Sequence, residues 1–192
     1  MNLCFATNNP GKLKEINTLV GDQYNILSLA DIGCKEELPE TQDTIEGNSL
    51  QKAEFVWKKY NVNCFADDTG LEVLALDGAP GVISARYAGE ACNPEDNMAK
   101  LLREMQGLKD RRARFRTCIT LIMDGSVHQF EGVVRGDILK EKIGDQGFGY
   151  DPIFKPEGHE LSFAQLPLDE KNKISHRGRA VKALIDFLNM NE

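Results

Sequence analysis

Residues 3–29, LCFATNNPGKLKEINTLVGDQYNILSL, decide the fold class of this 192-residue chain. The apolar run 3–7 predicts a strand, and a polar turn follows it. Apolar residues then recur three and four positions apart, which indicates one face of a helix. The apolar run 25–29 predicts a second strand. A strand, a helix and a strand in this order are typical of a parallel strand pair, so the sequence predicts an α/β protein.

The remainder of the chain adds helices and an antiparallel hairpin. The pattern predicts a helix over 44–60, whose buried stripe would contain Leu50, Ala53, Trp57 and Tyr60. Alternating residues on both sides of an Asp-Gly pair predict a hairpin, with strands over 114–123 and 127–135. A last helix is predicted over 175–189. Parallel and antiparallel strands together indicate a mixed sheet with two lobes around a cleft.

Composition restricts the class of protein. The net charge is −7, and a negative field opposes general binding to nucleic acid or to a membrane surface. No apolar stretch approaches the roughly 18 residues of a membrane span, and the N-terminus lacks the pattern of a secretory signal. We therefore expect one cytoplasmic domain over 1–192 that binds neither nucleic acid nor membrane.

The cysteines do not indicate a metal site. The chain has five of them, and none belongs to a CxxC pair, so neither a zinc site nor a disulfide framework is expected. Cys4, Cys64 and Cys118 lie in apolar runs, which predicts that they are small core residues.

Two segments combine groups that suit phosphate and metal chemistry. Residues 7–12, TNNPGK, join a strand to a helix, where backbone N–H groups and a lysine can bind phosphate oxygens. The same residues also fit an ordinary turn with asparagine at the helix N-cap. Asp67 and Asp68 follow the predicted strand 64–66 at its end. Adjacent strand residues point to opposite faces, so only one of these carboxylates can face a given Mg²⁺ ion.

Two later segments offer aromatic and cationic groups. Residues 144–152, GDQGFGYDP, surround Phe148 with glycines, so its ring could stack on a base or belong to the core. Residues 171–178, KNKISHRG, enter the predicted last helix with Ser175 as its N-cap. This segment brings together three possible donors to an anionic or acceptor-rich ligand, or forms a solvated turn: Lys171, His176 and Arg177.

Four motifs occur in order along nearly the whole chain: ATNNPGK at 6–12, ADDTGLEVLALDGAPGVISARYAG at 66–89, GFGYDPIF at 147–154 and SHRG at 175–178. Together they resemble the inosine triphosphatase/HAM1 family of dITP/XTP pyrophosphatases. The resemblance implies an elongated mixed β-sheet with flanking helices and two lobes around a central cleft, the inosine triphosphatase-like and Maf-like α/β fold. It also implies a homodimer.

The implied reaction is Mg²⁺-dependent hydrolysis of ITP, dITP and XTP to a monophosphate and pyrophosphate. The resemblance implies that Glu40 and Asp68 bind the metal and that Asp68 and Lys52 are catalytic. The chemistry of a carboxylate that activates water leaves Asp67 as an alternative general base. The resemblance also implies the substrate contacts. The triphosphate would be bound by Thr7, Asn8, Asn9 and Lys12, and Thr69 would contact the substrate next to the metal. The purine would be surrounded by Phe148, Gly149, Tyr150 and Asp151, and its edge would be contacted by Lys171, His176 and Arg177.

Two departures from the family pattern bear on these assignments. Asn8 stands where the family usually has glycine, and asparagine tolerates a positive φ. The segment 44–49, TIEGNS, differs from the common Thr-Phe-x-Glu-Asn-Ala, which leaves Asp43 and Glu46 as alternatives to Glu40. Two other functions also fit a nucleotide site: a Maf-like pyrophosphatase acting on modified pyrimidine or canonical nucleotides, and a binding module without hydrolysis.

Overall fold

A parallel strand–helix–strand unit opens the computed structural model, which describes residues 2–21 and 23–190. β1 (Asn2–Phe5) leads into α1 (Pro10–Val20), and β2 (Asn25–Leu27) lies parallel to β1. The unit predicted from residues 3–29 is therefore confirmed. The first strand is shorter than predicted because the Thr7 N–H turns back to the Phe5 carbonyl at 2.9 Å.

The strand that carries Asp67 and Asp68 is longer than predicted. β3 (Cys64–Val73) pairs parallel with β1 and antiparallel with the short β4 (Pro80–Gly81). The two aspartates lie in the middle of this strand, so the prediction that they close a strand was wrong. A Cβ on Gly70 would lie 2.8 Å from the Gly81 carbonyl oxygen, so this glycine serves the close approach of β3 and β4.

The predicted hairpin is confirmed. β5 (Arg112–Met123) and β6 (Ser126–Ile138) are joined by Asp124 and Gly125, whose φ angles of 50° and 82° suit a tight hairpin turn. β7 (Phe154–Pro156) adds antiparallel to β6. The strand order is β2-β1-β3-β5-β6-β7, with β4 beside β3, so the sheet is mixed.

Helices flank this sheet. They are α2 (Ile45–Tyr60), α3 (Pro94–Glu104), α4 (Leu168–Ile174) and α5 (His176–Met190), with short 3₁₀ turns at Leu74–Leu76, Ser84–Arg86, Asp151–Ile153 and Phe163–Gln165. Residues 171–174 were expected only to lead into the last helix, and they form part of a separate one. The break falls at Ser175, which is extended with φ −70° and ψ 160°.

The buried face of α2 differs from the predicted stripe. Ala53 is buried as expected, whereas Leu50, Trp57 and Tyr60 are half-buried. In their place the helix buries Ile45 and Val56 together with three polar residues: Asn48, Ser49 and Lys52. The prediction failed because it assumed that an apolar stripe marks the inward face, while this helix turns polar side chains inward.

The chain divides into two compact units. Unit 1 contains the described residues within 1–68, 117–132 and 177–192, and unit 2 contains 69–116 and 133–176. Unit 1 packs an apolar cluster around Phe65 and Leu184 and a second around Ala53 and Cys64. Unit 2 has its own core around the rings of Phe115, Phe154 and Phe163. Among the described residues, no helix is long and apolar enough to cross a membrane.

Candidate active site

The turn before α1 is an exposed helix N-terminus. Asn9 caps the helix: its Oδ1 accepts hydrogen bonds from the backbone N–H groups of Gly11 at 2.9 Å and Lys12 at 3.2 Å. The Asn9 N–H donates to Thr7 Oγ1 at 3.2 Å. The N-cap interpretation is thus confirmed, and phosphate binding by Thr7, Asn8 and Asn9 stays a prediction.

Asn8 does not need the conformational freedom that a glycine would have. It is not among the described residues with a positive φ, a set that contains Asn61, Asp77, Cys92 and Asp124. An L-amino acid therefore fits this position without backbone strain. The side chain of Asn8 is exposed, so the departure from the family pattern changes a surface group and leaves the turn intact.

A row of alternating charges lies in the interior of unit 1 and includes Lys12, which follows this turn. Lys12 Nζ donates to Asp67 Oδ1 at 3.0 Å, and Arg177 donates through Nε and Nη2 to Asp67 Oδ2 at 3.1 and 3.0 Å. Arg177 Nη1 also donates to Glu15 Oε2. Arg177 and Asp67 are each 1 % exposed. Two cations and two carboxylates thus neutralise one another where water is excluded.

These neighbours control the ionisation of Asp67. Burial acts to raise its pKa, but the positive charges of Lys12 and Arg177 outweigh burial and hold the pKa of Asp67 well below its ordinary value. Burial lowers the pKa of Lys12, against the raising effect of Asp67. Asp67 is therefore a fixed anion, and both of its oxygens accept hydrogen bonds from cations.

The Arg177 side chain lies in this row. Successive helix residues point about 100° apart, so His176 and Arg177 diverge: the His176 ring stacks on Phe115 with centroids 4.5 Å apart. The three guanidinium nitrogens that contact Asp67 and Glu15 serve buried ion pairs. The contact of Arg177 with a base, together with Lys171 and His176, stays a prediction.

A second charged group in unit 1 joins Glu40, Lys52 and Asp68. Lys52 is 4 % exposed; its Nζ donates to Glu40 Oε1 and lies 3.6 Å from Asp68 Oδ1. Asn48 Nδ2 donates to Asp68 Oδ2 at 3.2 Å. The contact between Glu40 and Lys52 favours Glu40 over the alternatives Asp43 and Glu46 as the acid that works with Asp68.

The pKa of Asp68 shifts in the opposite direction from that of Asp67. Burial raises the pKa of Asp68, and the charges of Lys52 and Lys12 only partly offset it. The pKa of Glu40 is lowered, since Lys52 outweighs the effect of burial. The pKa of Lys52 is raised, since the neighbouring carboxylates outweigh burial. Two adjacent strand residues therefore differ in character, and Asp68 is the more proton-accepting of the two.

The carboxylates at Lys52 fit a Mg²⁺ ion shared with a substrate. Among the described residues, no group of three or more histidine, cysteine or acidic side chains could hold a metal ion. Mg²⁺ commonly takes only one or two protein carboxylates and completes its shell with phosphate oxygens and water. Glu40 and Asp68 supply such a pair of hard oxygen donors, so the donor set suits Mg²⁺ and does not suit a closed zinc site.

Unit 2 carries a different group, built on Asp151 and Lys171. Both side chains are about 97 % buried, and Lys171 Nζ donates to Asp151 Oδ2 at 2.6 Å. The same oxygen accepts the Phe148 N–H at 2.9 Å. Gly147 makes this possible, since its φ is 77° and a Cβ there would lie 2.0 Å from Asp151 Oδ2. Lys171 Nζ also lies 5.1 Å from the centroid of the Phe148 ring.

The remaining predicted residues of this segment have separate roles in the fold. Phe148 is half-buried, so its ring is partly accessible. Tyr150 is 5 % exposed, and its hydroxyl donates to the Ser84 carbonyl at 2.8 Å, which makes it part of the core of unit 2. Gly149, the residue after Phe148, has a positive φ of 63°.

Sequence reasoning missed several buried polar residues. Glu15, Asn48 and Asn172 were not singled out, yet each is at most 5 % exposed. In the described part of the chain, neither side-chain polar atom of Asn172 has a hydrogen-bond partner. A signal existed for two of them: Glu15 lies three residues after Lys12, and Asn48 lies four before Lys52, the spacings that place side chains together on a helix.

Taken together, these features define an α/β protein with a mixed sheet, a carboxylate pair suited to Mg²⁺ and a partly exposed aromatic ring beside a buried lysine. The model of the Ham1 family matches residues 3–187, and the chain belongs to that family. The Staphylococcus aureus Ham1 protein superposes with a TM-score of 0.90 at 38 % identity over 100 % of both chains. A HAM1 protein from Coxiella burnetii gives a TM-score of 0.90 at 34 % identity, covering 99 % of both chains.

Relatives of known name are also similar over nearly their full length. The dITP/XTP pyrophosphatase of Flavobacterium psychrophilum is 56 % identical over 187 residues, 97 % of this chain and 98 % of the relative. The dITP/XTP pyrophosphatase of Bacillus subtilis is 46 % identical over 188 residues, 96 % of this chain and 95 % of the relative. The family resemblance and the mixed α/β fold expected from the sequence are both confirmed.

Proposed function

We propose that this chain is a dITP/XTP pyrophosphatase that hydrolyses ITP, dITP and XTP between the α- and β-phosphates, with Mg²⁺, to a monophosphate and pyrophosphate. Nearly full-length relatives carry that name, which supports assignment to the nucleoside triphosphate pyrophosphatases. The observation that carries the finer proposal is the pair Glu40 and Asp68 at the buried Lys52. Such an enzyme would remove non-canonical purines before their incorporation into DNA and RNA.

The charged groups of unit 1 suit the polyphosphate. Phosphoryl transfer is mainly a matter of positioning and of neutralising charge. The exposed N-terminus of α1 offers backbone N–H groups, with Thr7, Asn8 and Asn9 beside them. Lys12, whose side chain is 13 % exposed, supplies a positive charge that Asp67 holds in place.

Glu40 and Asp68 would hold the Mg²⁺ ion. When bound, it would offset the negative charge of the phosphate oxygens. Asp68 would also orient the attacking water and accept its proton, because burial raises the pKa of this carboxyl. Asp67 is the weaker candidate for general base, since Lys12 and Arg177 lower its pKa. Lys52 would keep the two carboxylates together and offset developing charge, and Thr69 follows Asp68 beside the substrate.

The groups of unit 2 suit a purine that carries an oxygen at C6. The Phe148 ring would stack on the base, with Gly149, Tyr150 and Asp151 shaping the pocket. Hypoxanthine and xanthine present an O6 acceptor where adenine has an amino donor. Lys171, His176 and Arg177 would donate to that oxygen. Adenine would leave these donors unpaired, which disfavours ATP.

We further propose a cytoplasmic homodimer that binds neither nucleic acid nor membrane. The chain's formal charge of −7 supports the absence of nucleic-acid binding, and the family resemblance supports the dimer. Sedimentation of the purified protein tests the oligomeric state, and a gel-shift assay with DNA and RNA tests the second statement.

One experiment tests the reaction: pyrophosphate release from ITP, dITP, XTP, GTP, ATP and dUTP, each with and without Mg²⁺. We expect Mg²⁺-dependent release from the first three and little from ATP. Equal rates on ATP and ITP would contradict the base selectivity. Preference for dUTP would favour a Maf-like activity, and binding of ITP without pyrophosphate release would favour a nucleotide-binding module.

A further inference from the structure

The segment that carries Glu40 is fixed to α2 by two amide side chains. Gln51 Oε1 accepts a hydrogen bond from the Thr41 backbone N–H at 2.9 Å, and Gln51 Nε2 donates to Thr41 Oγ1 at 2.8 Å. Asn48 Oδ1 accepts from the Gln42 N–H at 2.9 Å. The two backbone amides that follow Glu40 are therefore both held by one helix.

The same asparagine reaches the other carboxylate. Asn48 is 1 % exposed, and its Nδ2 donates to Asp68 Oδ2 at 3.2 Å. An amide group is planar, with its acceptor and its donors at fixed positions. One side chain thus joins the chain segment next to Glu40 to the carboxylate of Asp68, independently of the contacts of Lys52.

Gly47 allows the segment to approach this closely. A Cβ at Gly47 would lie 2.8 Å from Gln42 Cβ, 3.1 Å from Thr44 Oγ1 and 3.2 Å from Gln42 Cγ. Gln42 Cβ cannot move away without its backbone, so a larger residue at 47 must displace the segment. Gly47 has no positive φ, and glycine is a poor helix former. The close approach therefore explains a glycine that helix propensity would disfavour.

We propose that Gly47, Asn48 and Gln51, here named the α2 clamp, are positioning residues that set Glu40 relative to Asp68 and thereby set the affinity of this pair for Mg²⁺. The inference rests on the proposed function in treating the two carboxylates as metal ligands. Replacing a residue that orients a metal ligand without itself contacting the metal commonly changes metal affinity by about 10- to 100-fold.

Two variants test the clamp, one by crowding the contact between α2 and the segment and one by removing hydrogen bonds from it. Gly47→Ala pushes the segment away while improving helix propensity, and Gln51→Ala removes both contacts with Thr41. For each, we expect the Mg²⁺ concentration for half-maximal pyrophosphate release from ITP to rise by about 10-fold or more, with kcat at saturating Mg²⁺ little changed. Gln51→Glu keeps the acceptor for the Thr41 N–H, and the Thr41 hydroxyl can donate to the second carboxylate oxygen, so a smaller effect than that of Gln51→Ala is expected.

The matched control is Lys58→Ala on the same helix. Lys58 is 69 % exposed and contacts Glu54 on the outer surface. The Mg²⁺ requirement of the Lys58→Ala variant should therefore equal that of the unmodified enzyme. An unchanged Mg²⁺ requirement in both Gly47→Ala and Gln51→Ala would overturn the proposal. So would a fall in kcat at saturating Mg²⁺ with the Mg²⁺ requirement unchanged, because the clamp would then act on another step.

Two readouts do not depend on turnover. Mn²⁺ binding to the enzyme without nucleotide, followed by electron paramagnetic resonance, should weaken in both variants. Amide hydrogen exchange in the peptide covering 40–43 should become faster. Faster exchange with unchanged Mn²⁺ affinity would refute the clamp as a determinant of metal binding. If the unmodified enzyme does not hydrolyse ITP, the proposed function fails, while these two measurements still decide whether the α2 clamp governs the metal site.

Discussion

The two units of the chain bury charge in different ways. In unit 1 the row of Lys12, Asp67, Arg177 and Glu15 forms a nearly continuous set of ion pairs. In unit 2 one ion pair, Lys171 with Asp151, lies among aromatic rings. A buried ion pair is costly unless its geometry is good and its other polar atoms are satisfied. Unit 1 meets this condition by pairing many charges, and unit 2 by surrounding one pair with hydrogen bonds and ring faces.

This difference indicates which part of the proposed reaction each unit serves. A highly charged polyphosphate calls for several fixed cations and anions, because no reorganisation is then needed when charge develops. A nearly neutral base calls for a stacking surface and a few directed donors. Unit 1 should therefore control rate and metal dependence, and unit 2 should control which base is accepted.

The largest expected effect comes from Asp68→Asn. The amide cannot accept a proton and has lost the negative charge, so kcat for pyrophosphate release from ITP should fall by about 10²- to 10⁴-fold. The melting temperature should change little, since the new side chain has nearly the same shape. Turnover at the ordinary rate would remove Asp68 from the catalytic role and would break the assignment of rate to unit 1.

Asp67→Ala should act on stability. Lys12 and Arg177 would lose a shared anion that is 1 % exposed, and removing one partner of a buried pair costs about 3–5 kcal/mol. The free energy of unfolding, measured in urea, should fall by that amount. Asp68→Ala is the comparison and should cost less, because its pKa is already raised by burial and the ionised form is less favoured there. Equal losses for the two variants would contradict the difference inferred between these neighbours.

A smaller effect, on selectivity and not on rate, is expected for Lys171→Met. Methionine keeps the length of the side chain but cannot donate to O6, and a hydrogen bond from a charged donor contributes about 1.5–3 kcal/mol. The ratio of kcat/KM for ITP to that for ATP should fall by about 10- to 100-fold. The ratio is measured on one folded protein, so lost stability does not affect it. Lys173→Met, which removes a 65 % exposed neighbour, is the control, and a selectivity loss as large in this variant would refute the role of Lys171.

Local patterns were enough to predict the framework of the fold. The first strand, α1 and the second strand follow from apolar spacing over residues 3–29, and the hairpin follows from Asp124-Gly125 between two alternating runs. These signals succeed because the residues involved are close in sequence and serve packing alone. The family match adds the fold class, since the motifs that carry it are spread along nearly the whole chain.

The details of the charged groups were not predictable in the same way. Arg177 and Asp67 are 110 positions apart in sequence, so no local pattern could show that the arginine pairs with that carboxylate. The apolar-stripe rule failed on α2 because Asn48 and Lys52 face inward toward the carboxylate of Asp68 on β3. Asp67 and Asp68 were expected at the end of a strand, although β3 continues to Val73 and pairs with β4. In each case a distant partner outweighs the local preference.

The smallest expected change, chemical labelling of the thiols, compares the units without any mutation. Cys4, Cys34, Cys64 and Cys118 of unit 1 are buried, and Cys92 of unit 2 is exposed. Burial raises the pKa of Cys4 and of Cys64 to about 12, and the thiolate is the reactive form. Iodoacetamide at pH 8 should therefore modify Cys92 first in the folded protein, as read by peptide mass spectrometry, and all five after unfolding. Folding keeps the Cys4 and Cys64 thiols protonated. The stability that these two groups contribute is therefore complete below the thiol pKa of the unfolded chain, near 9, and it declines as the pH rises toward their folded pKa of about 12. Rapid native labelling of Cys4 or Cys64 at pH 8 would show that the core of unit 1 opens far more readily than its packing indicates.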